Sequence, residues 1–173
     1  IFCSVANDIE KISNCGNSFG FQIFGISSSG EISNDDIYEF SVVGMFFEIN
    51  SDIFYIKAES TLQKKIIDIS RELKLELEQK FTNKSMLVSA SGISTDGEEV
   101  VDSILNVFGE NIPLFGGLAG DDLKMKETFV FTNNKVLSKG VIFLVFNSDF
   151  IELKGIATSG WESIGVEKIV TKA

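Results

Sequence analysis

The sequence predicts an α/β domain, layered, with a mixed β-sheet and an internal duplication of a strand-helix-strand-strand-strand unit. Three observations carry this. Apolar runs of strand length alternate with segments whose apolar residues recur at helical spacing. Strands that follow one another across short turns must pair antiparallel, so a sheet that also holds strand-helix-strand crossovers is mixed. Finally, Phe24 to Glu31 (Phe-Gly-Ile-Ser-Ser-Ser-Gly-Glu) is echoed by Phe115 to Asp122 (Phe-Gly-Gly-Leu-Ala-Gly-Asp-Asp), each with a Phe-Gly start and a Gly-acid finish. With 173 residues, 44% of them hydrophobic, and a single Pro, the chain can fill one core, and residues 1–173 are expected to form one domain.

In order along the chain, Ile1 to Ser4 reads as a strand, and Asn7 or Asp8 caps a brief helix through Ile9 and Ile12 that ends near Gly16. Phe21 to Ser27 is a strand running into the first tip at Ser28, Ser29, Gly30 and Glu31. After a polar loop at Asn34 to Asp36, Ser41 to Ile49 is apolar at both alternations, the pattern of a strand covered on both faces. Asn50-Ser51-Asp52 turns into a strand at Ile53 to Glu59. Ser60 with Gln63 is a capping-box pattern, and Leu62, Ile66, Ile69, Leu73 and Leu77 form one helical stripe, predicting a helix over 61–81. Met86 to Ile93 is a strand, Thr95 with Glu98 a second capping box, and Val100 to Phe108 a helix that stops at Gly109. Ile112 to Leu118 leads into the second tip. Thr128 to Thr132 and Val136 to Ser138 flank an Asn133-Asn134 hairpin loop. Gly140 to Phe146, Phe150 to Thr158 and Lys168 to Thr171 complete the strands, with Trp161 in a loop between the last two.

Aligning the Phe-Gly pairs and the Asn-Ser-Asp turns (Asn50 to Asp52, Asn147 to Asp149) gives copies of approximately 1–60 and 86–160 joined by the helix at 61–81. Lys57 then falls on Lys154 and Phe46 on Phe143.

Composition closes off several functions. A net charge of −10 with one Arg gives no basic face for a phosphate backbone, so nucleic acid is excluded as partner. There is no His, which removes the usual general base and the usual zinc ligand, and no cofactor or metal is expected. Cys3 and Cys15 fit neither a disulfide framework nor a CxxC motif and read as two buried thiols in a reducing compartment. No apolar run is long enough to span a membrane, so membrane insertion is not expected. Ile1 stands where an initiator Met would, and the chain is expected to be a piece of something longer.

The chemistry concentrates at the tips. Gly116, Gly117 and Gly120, with Ala119 between, leave main-chain N–H groups uncovered, so that a ligand carboxylate has donors; equally, they permit a tight exit from the strand. Asp121 and Asp122 point opposite ways if the chain is extended there, so one braces the loop while the other reads an amine. Ser27, Ser28, Ser29, Gly30 and Glu31 form the opposing wall, and Trp161 is a further lining residue. These twelve are the ligand-binding candidates, with no catalytic or metal-binding residue among them. Two alternatives are a His-independent Ser or Asp hydrolase, in which Lys57 or Lys154 serves as base, and a protein-protein assembly module.

Ile23 to Ile32, Phe115 to Asp122 and the late Gly160-Trp161 with Gly165 and Thr171 together resemble the FIST N-terminal domain, the sensory module named for F-box and intracellular signal transduction proteins. Ser28 stands where that family often has Thr. The resemblance implies a cytoplasmic bacterial sensory domain that binds a small molecule such as an amino acid. It also implies a following FIST C-terminal domain, absent from these residues, and a linked signalling output module as partners.

Overall fold

The computed structural model describes residues 1–34, 36–156, 165 and 171. The chain runs β1 (Phe2–Ser4), α1 (Ile9–Phe19), β2 (Gly25–Ser28), β3 (Glu31–Ser33), β4 (Asp36–Tyr38), β5 (Val42–Val43), a 3-10 turn (Ser51–Ile53), β6 (Phe54–Ser60), α2 (Ile66–Leu77), β7 (Lys84–Ser91), α3 (Gly97–Phe108), β8 (Leu114–Ala119), β9 (Val130–Thr132), β10 (Lys135–Leu137) and β11 (Gly140–Asn147). One sheet has the order β10-β9-β2-β1-β5, a second β6-β11-β7-β8, and β3 with β4 forms a two-stranded ribbon. Both larger sheets are mixed: β1 with β2 and β7 with β8 are parallel, each pair joined by a helix, and the remaining pairs are antiparallel.

The strand period of two sorts β11 onto two cores. Val141, Phe143 and Val145 pack with Ile69, Leu73 and Ile104 of α2 and α3, whereas Ile142 faces the opposite way, toward Ile26, Ala119 and Val130. Sheet therefore packs on sheet through the second core. On the far side of the five-stranded sheet, Cys3, Ile23 and Phe131 meet Ile9 of α1. The layers are helices, sheet, sheet, helix.

Capping differs from expectation at two helices, and the magnitudes explain why they form anyway. The predicted Ser60 box is not made: α2 starts five residues later than expected, behind Lys65, which makes no side-chain cap. A missing cap costs about 1 kcal/mol. Burial of Ile66, Ile69, Leu73 and Leu77 contributes about 1.5–3 kcal/mol each, which outweighs it. At α3 the cap is Asp96, whose carboxylate accepts from the Glu98 N–H at 2.9 Å, while the predicted cap Thr95 has a buried hydroxyl without a partner. Asp8 caps α1 as expected, but the helix runs past Gly16 to Phe19 and ends on Gly20 in the left-handed conformation.

Two predicted strands are corrected. Ser41 to Ile49 is not a doubly covered strand: Val42 and Val43 alone pair with β1, and Met45, Phe46 and Phe47 are exposed. Phe46 meets the Phe21 ring edge-on at 5.6 Å between centroids. Residue 150 lies in a turn and residues 151–156 have no strand pairing, so the strand expected at Phe150 to Thr158 is not formed over its described part. The strand-helix-strand part of each proposed copy is present; the full repeated order is not, because the first copy has the β3–β4 ribbon and the second has no strand after residue 149 among the described residues. Lys168 to Thr171 and Trp161 lie, apart from residue 171, outside the described residues. Cys3 is buried as expected and Cys15 only half-buried, both as free thiols. Burial, followed by the nearby Glu31 carboxylate, pushes the Cys3 thiol up to about 11, so it stays protonated. No helix among the described residues is long and apolar enough to cross a membrane.

Candidate functional site

The two tips meet. The Gly120 N–H donates to the Ser27 carbonyl at 2.9 Å, and the Ser27 hydroxyl donates back to the Gly120 carbonyl at 2.6 Å while accepting from the Phe129 N–H at 2.8 Å. A Cβ on Gly120 would meet the Ser29 hydroxyl and crowd the Ser28–Ser29 main chain, so the tips approach closely here. From this junction β2 and β8 diverge, since β2 belongs to one sheet and β8 to the other. Between them opens a cavity of about 1240 Å³, walled by Phe24 and Ile26 to Gly30 on one side and Leu114 to Leu118 on the other, with further walls from β7, from Val101 and Leu105 of α3, and from Leu153 to Ile156.

The predicted site residues divide into those that line this space and those that hold it open. Ser27, Ser28, Ser29, Gly30, Gly116, Gly117 and Gly120 line it. Of these, Ser27 is fully buried with its hydroxyl committed to the junction, and the Ser28 hydroxyl donates to Glu31 at 2.7 Å, so Ser29, exposed at the rim, is the hydroxyl left for a guest. Gly116 is needed for pairing, because a Cβ there would overlap the Val88 carbonyl of β7. Gly117 is the opposite case: a Cβ there meets nothing within 4 Å.

Glu31, Ala119, Asp121 and Asp122 do not line the cavity. Glu31, 1% exposed, accepts from Ser28 through one oxygen and from the Ser41 N–H and hydroxyl, at 3.2 and 2.7 Å, through the other. It thereby fastens the first tip to the segment before β5. Asp121 accepts from the N–H groups of Met125, Lys126 and Glu127 at 3.0, 2.6 and 3.2 Å and is the expected loop brace. Asp122, with φ of 54°, accepts from the Ser4 hydroxyl at 2.8 Å and pairs with Lys124 at 3.2 Å, so its carboxylate is directed at β1 instead of at a ligand amine. Three buried or half-buried acids thus bond to the loops around the site. Ala119 faces the inter-sheet core.

The Lys126 N–H, with those of Met125, Glu127 and Lys124, holds the Asp121 carboxyl below its ordinary value, against an opposing push from burial. A depressed folded-state value means stability that is fully present above the unfolded-state value near 3.8 and is lost as pH falls through the lower folded one. Asp121→Asn is expected to lower Tm at neutral pH and to flatten the fall of Tm with acid below about pH 4. Thermal melts of both proteins across that range check this.

Sequence reasoning missed the apolar share of the wall: Leu87 of β7, Val101 and Leu105 of α3, and Leu153 and Ile156. Val101 carried a signal, being an apolar residue off the buried Val100–Ile104 stripe of α3 and 42% exposed. Among the described residues no group of acidic or Cys side chains is arranged to hold a metal ion.

Comparison with curated proteins and with solved structures gave no match. The FIST N domain family matches over residues 1–173, the whole length that carries both tips, their junction and the cavity between them. The chain therefore belongs to the FIST N domain family, a family of sensory domains in signalling proteins.

Proposed function

We propose that the chain is a non-catalytic sensing domain that takes a small ligand, such as an amino acid, into the cavity between the two tips and passes the change to a linked signalling module. What supports the reading is one observation: residues from both glycine-rich tips wall the same cavity, beside the point where the tips are hydrogen-bonded to each other. A ligand there touches both sheets at their junction, so its binding shifts the relation of one sheet to the other. The FIST C-terminal domain, a signalling output module and a cytoplasmic bacterial setting belong to the same proposal by family relation.

Absence of catalysis is supported by how the nucleophile candidates are spent. The Ser27 hydroxyl donates to a main-chain carbonyl, and Lys57, a base candidate, sits 2.7 Å from Glu76. The Ser28–Glu31 hydrogen bond is the arrangement that a hydrolytic reading would use. Turnover of an ester and amide panel that disappears in Ser28→Ala would favour that reading over sensing.

The test is a thermal-shift screen of amino acids on the chain and on Gly117→Val. At 100 times its dissociation constant a ligand adds roughly 2.7 kcal/mol. Stabilisation of the wild type that is lost in Gly117→Val is expected, because the valine fills space that the ligand needs while clashing with nothing in the protein. If no amino acid stabilises the wild type, the amino-acid reading falls.

A further inference from the structure

We propose that the outer edge of β8 takes up a short extended peptide with apolar side chains and a free C-terminal carboxylate, added antiparallel as a fifth strand to the four-stranded sheet. This rests on the sensing reading above and names the ligand class of the same cavity.

Sheet edges left open to solvent invite pairing and are ordinarily blunted by charge, proline or shortness. Three of the four edges of the two larger sheets are blunted: β10 carries Lys135, β6 carries Lys57 and Glu59, and β5 is two residues long. The fourth, β8, has no partner on its outer side among the described residues; it reads Leu-Phe-Gly-Gly-Leu-Ala, with no charge and no proline, and its Gly116, Gly117 and Leu118 are exposed. The Met86 N–H donates to the Pro113 carbonyl at 2.8 Å, and the parallel register from Met86↔Leu114 onward then turns the main-chain groups of Phe115 and Gly117 toward β7. Those of Leu114, Gly116 and Leu118 face away from it. They face the cavity, whose wall includes all three residues. A strand added there finds a ladder of donors and acceptors, and two glycines keep side chains from obstructing it.

The surroundings select the peptide. The lining is dominated by apolar side chains from both faces of the sheet, such as Leu87, Val101, Leu105 and Ile156. Among the described residues the sole ionised side chain lining the cavity is Lys154. Its partner Glu152 lies 3.0 Å away, but both are about three-quarters exposed, so the pair is weak and the ammonium is available to a carboxylate. The neighbouring Gly155 packs on the Phe115 ring, which places Lys154 toward the start of β8, while the Ser27–Gly120 junction closes the groove at its other end. A peptide whose C-terminus lies at Lys154 and whose N-terminus stops at the junction runs opposite to β8. The closed end also stops a strand that would pass through from a second copy of the chain.

The probe is acetyl-Val-Ala-Val-Leu as the free acid, compared with its C-terminal amide, with a version N-methylated at alternate amides, and with leucine. Binding is read by thermal shift and by amide hydrogen exchange. The expected result is binding of the acid with new protection at Gly116 and Leu118 but none added at Gly117, at least tenfold weaker binding of the N-methylated peptide, and an acid-over-amide preference that Lys154→Gln removes. Equal binding of the N-methylated peptide would overturn edge pairing. So would protection of Gly116 and Leu118 that rises with protein concentration alone, which would mean that a second copy covers the edge. Stabilisation by leucine without binding of the peptide would overturn this inference and leave the sensing reading standing; stabilisation by neither would remove both.

Discussion

Gly116→Ala is expected to lower the stability of the chain by roughly 3 kcal/mol or more, because the new methyl would occupy the position of the Val88 carbonyl oxygen across the β7–β8 ladder. The backbone oxygen of a central strand has no rotamer by which to yield, so β8 itself must move away. One residue further on, Gly117→Val is expected to leave Tm close to wild type or to raise it slightly, since the side chain enters open space and valine suits a strand. Two adjacent glycines thus separate into one held by the fold and one kept for the cavity. Chemical denaturation of the two variants side by side measures this contrast, and similar losses at both positions would contradict it.

Ser27→Ala is the second large effect. Ser27 is fully buried, and its hydroxyl serves both the Gly120 carbonyl and the Phe129 N–H. Removing it leaves two main-chain groups short of a partner, each costing about 1–3 kcal/mol, so a loss of about 2 kcal/mol or more is expected. The same substitution at exposed Ser29 is expected to change stability by less than about 0.5 kcal/mol. Because Ser27 joins the tips, its loss also widens the angle at which β2 and β8 part, and ligand affinity is expected to fall in Ser27→Ala even where the protein remains folded. Titrating a ligand from the amino-acid screen at a temperature below both melting transitions checks that second consequence.

Periodicity made legible what is repetitive in the fold. The stripe through Ile66, Ile69, Leu73 and Leu77 marks α2 because burial follows the helical period, and the Asn133-Asn134 pair marks the β9–β10 turn, where Asn134 takes a φ of 58°. Residues 44–49 misled for a physical reason: apolar residues at both alternations suit a doubly covered strand, but they also occur in an exposed segment such as this one, where Phe46 touches Phe21. Capping boxes misled because Ser60 and Thr95 have the right spacing to Gln63 and Glu98, yet packing of the apolar stripe sets where each helix begins, and an adjacent Asp96 competes for the second cap.

At the site, the glycines of both tips line one cavity, whereas the acids bond to neighbouring loops. A string of residues shows that Glu31, Asp121 and Asp122 are charged; it does not show that main-chain N–H groups of the following loop, or hydroxyls of Ser4 and Ser41, are already turned toward them. The apolar wall was hidden for a related reason. Leu87, Val101 and Leu105 come from β7 and α3, and Leu153 and Ile156 from a segment beyond β11, so that the wall forms only when the crossover from β7 through α3 to β8 is laid beside that later segment.

The central claim is that one guest contacts both tips. Its most direct test is a backbone amide NMR titration with the ligand that gives the largest thermal shift. The account predicts that the amides of Ser29 and Gly30 and those of Gly116 and Leu118 move together, with a single dissociation constant, and that none of them moves in Gly117→Val. Perturbation confined to one tip, or two tips that titrate with different constants, would contradict it.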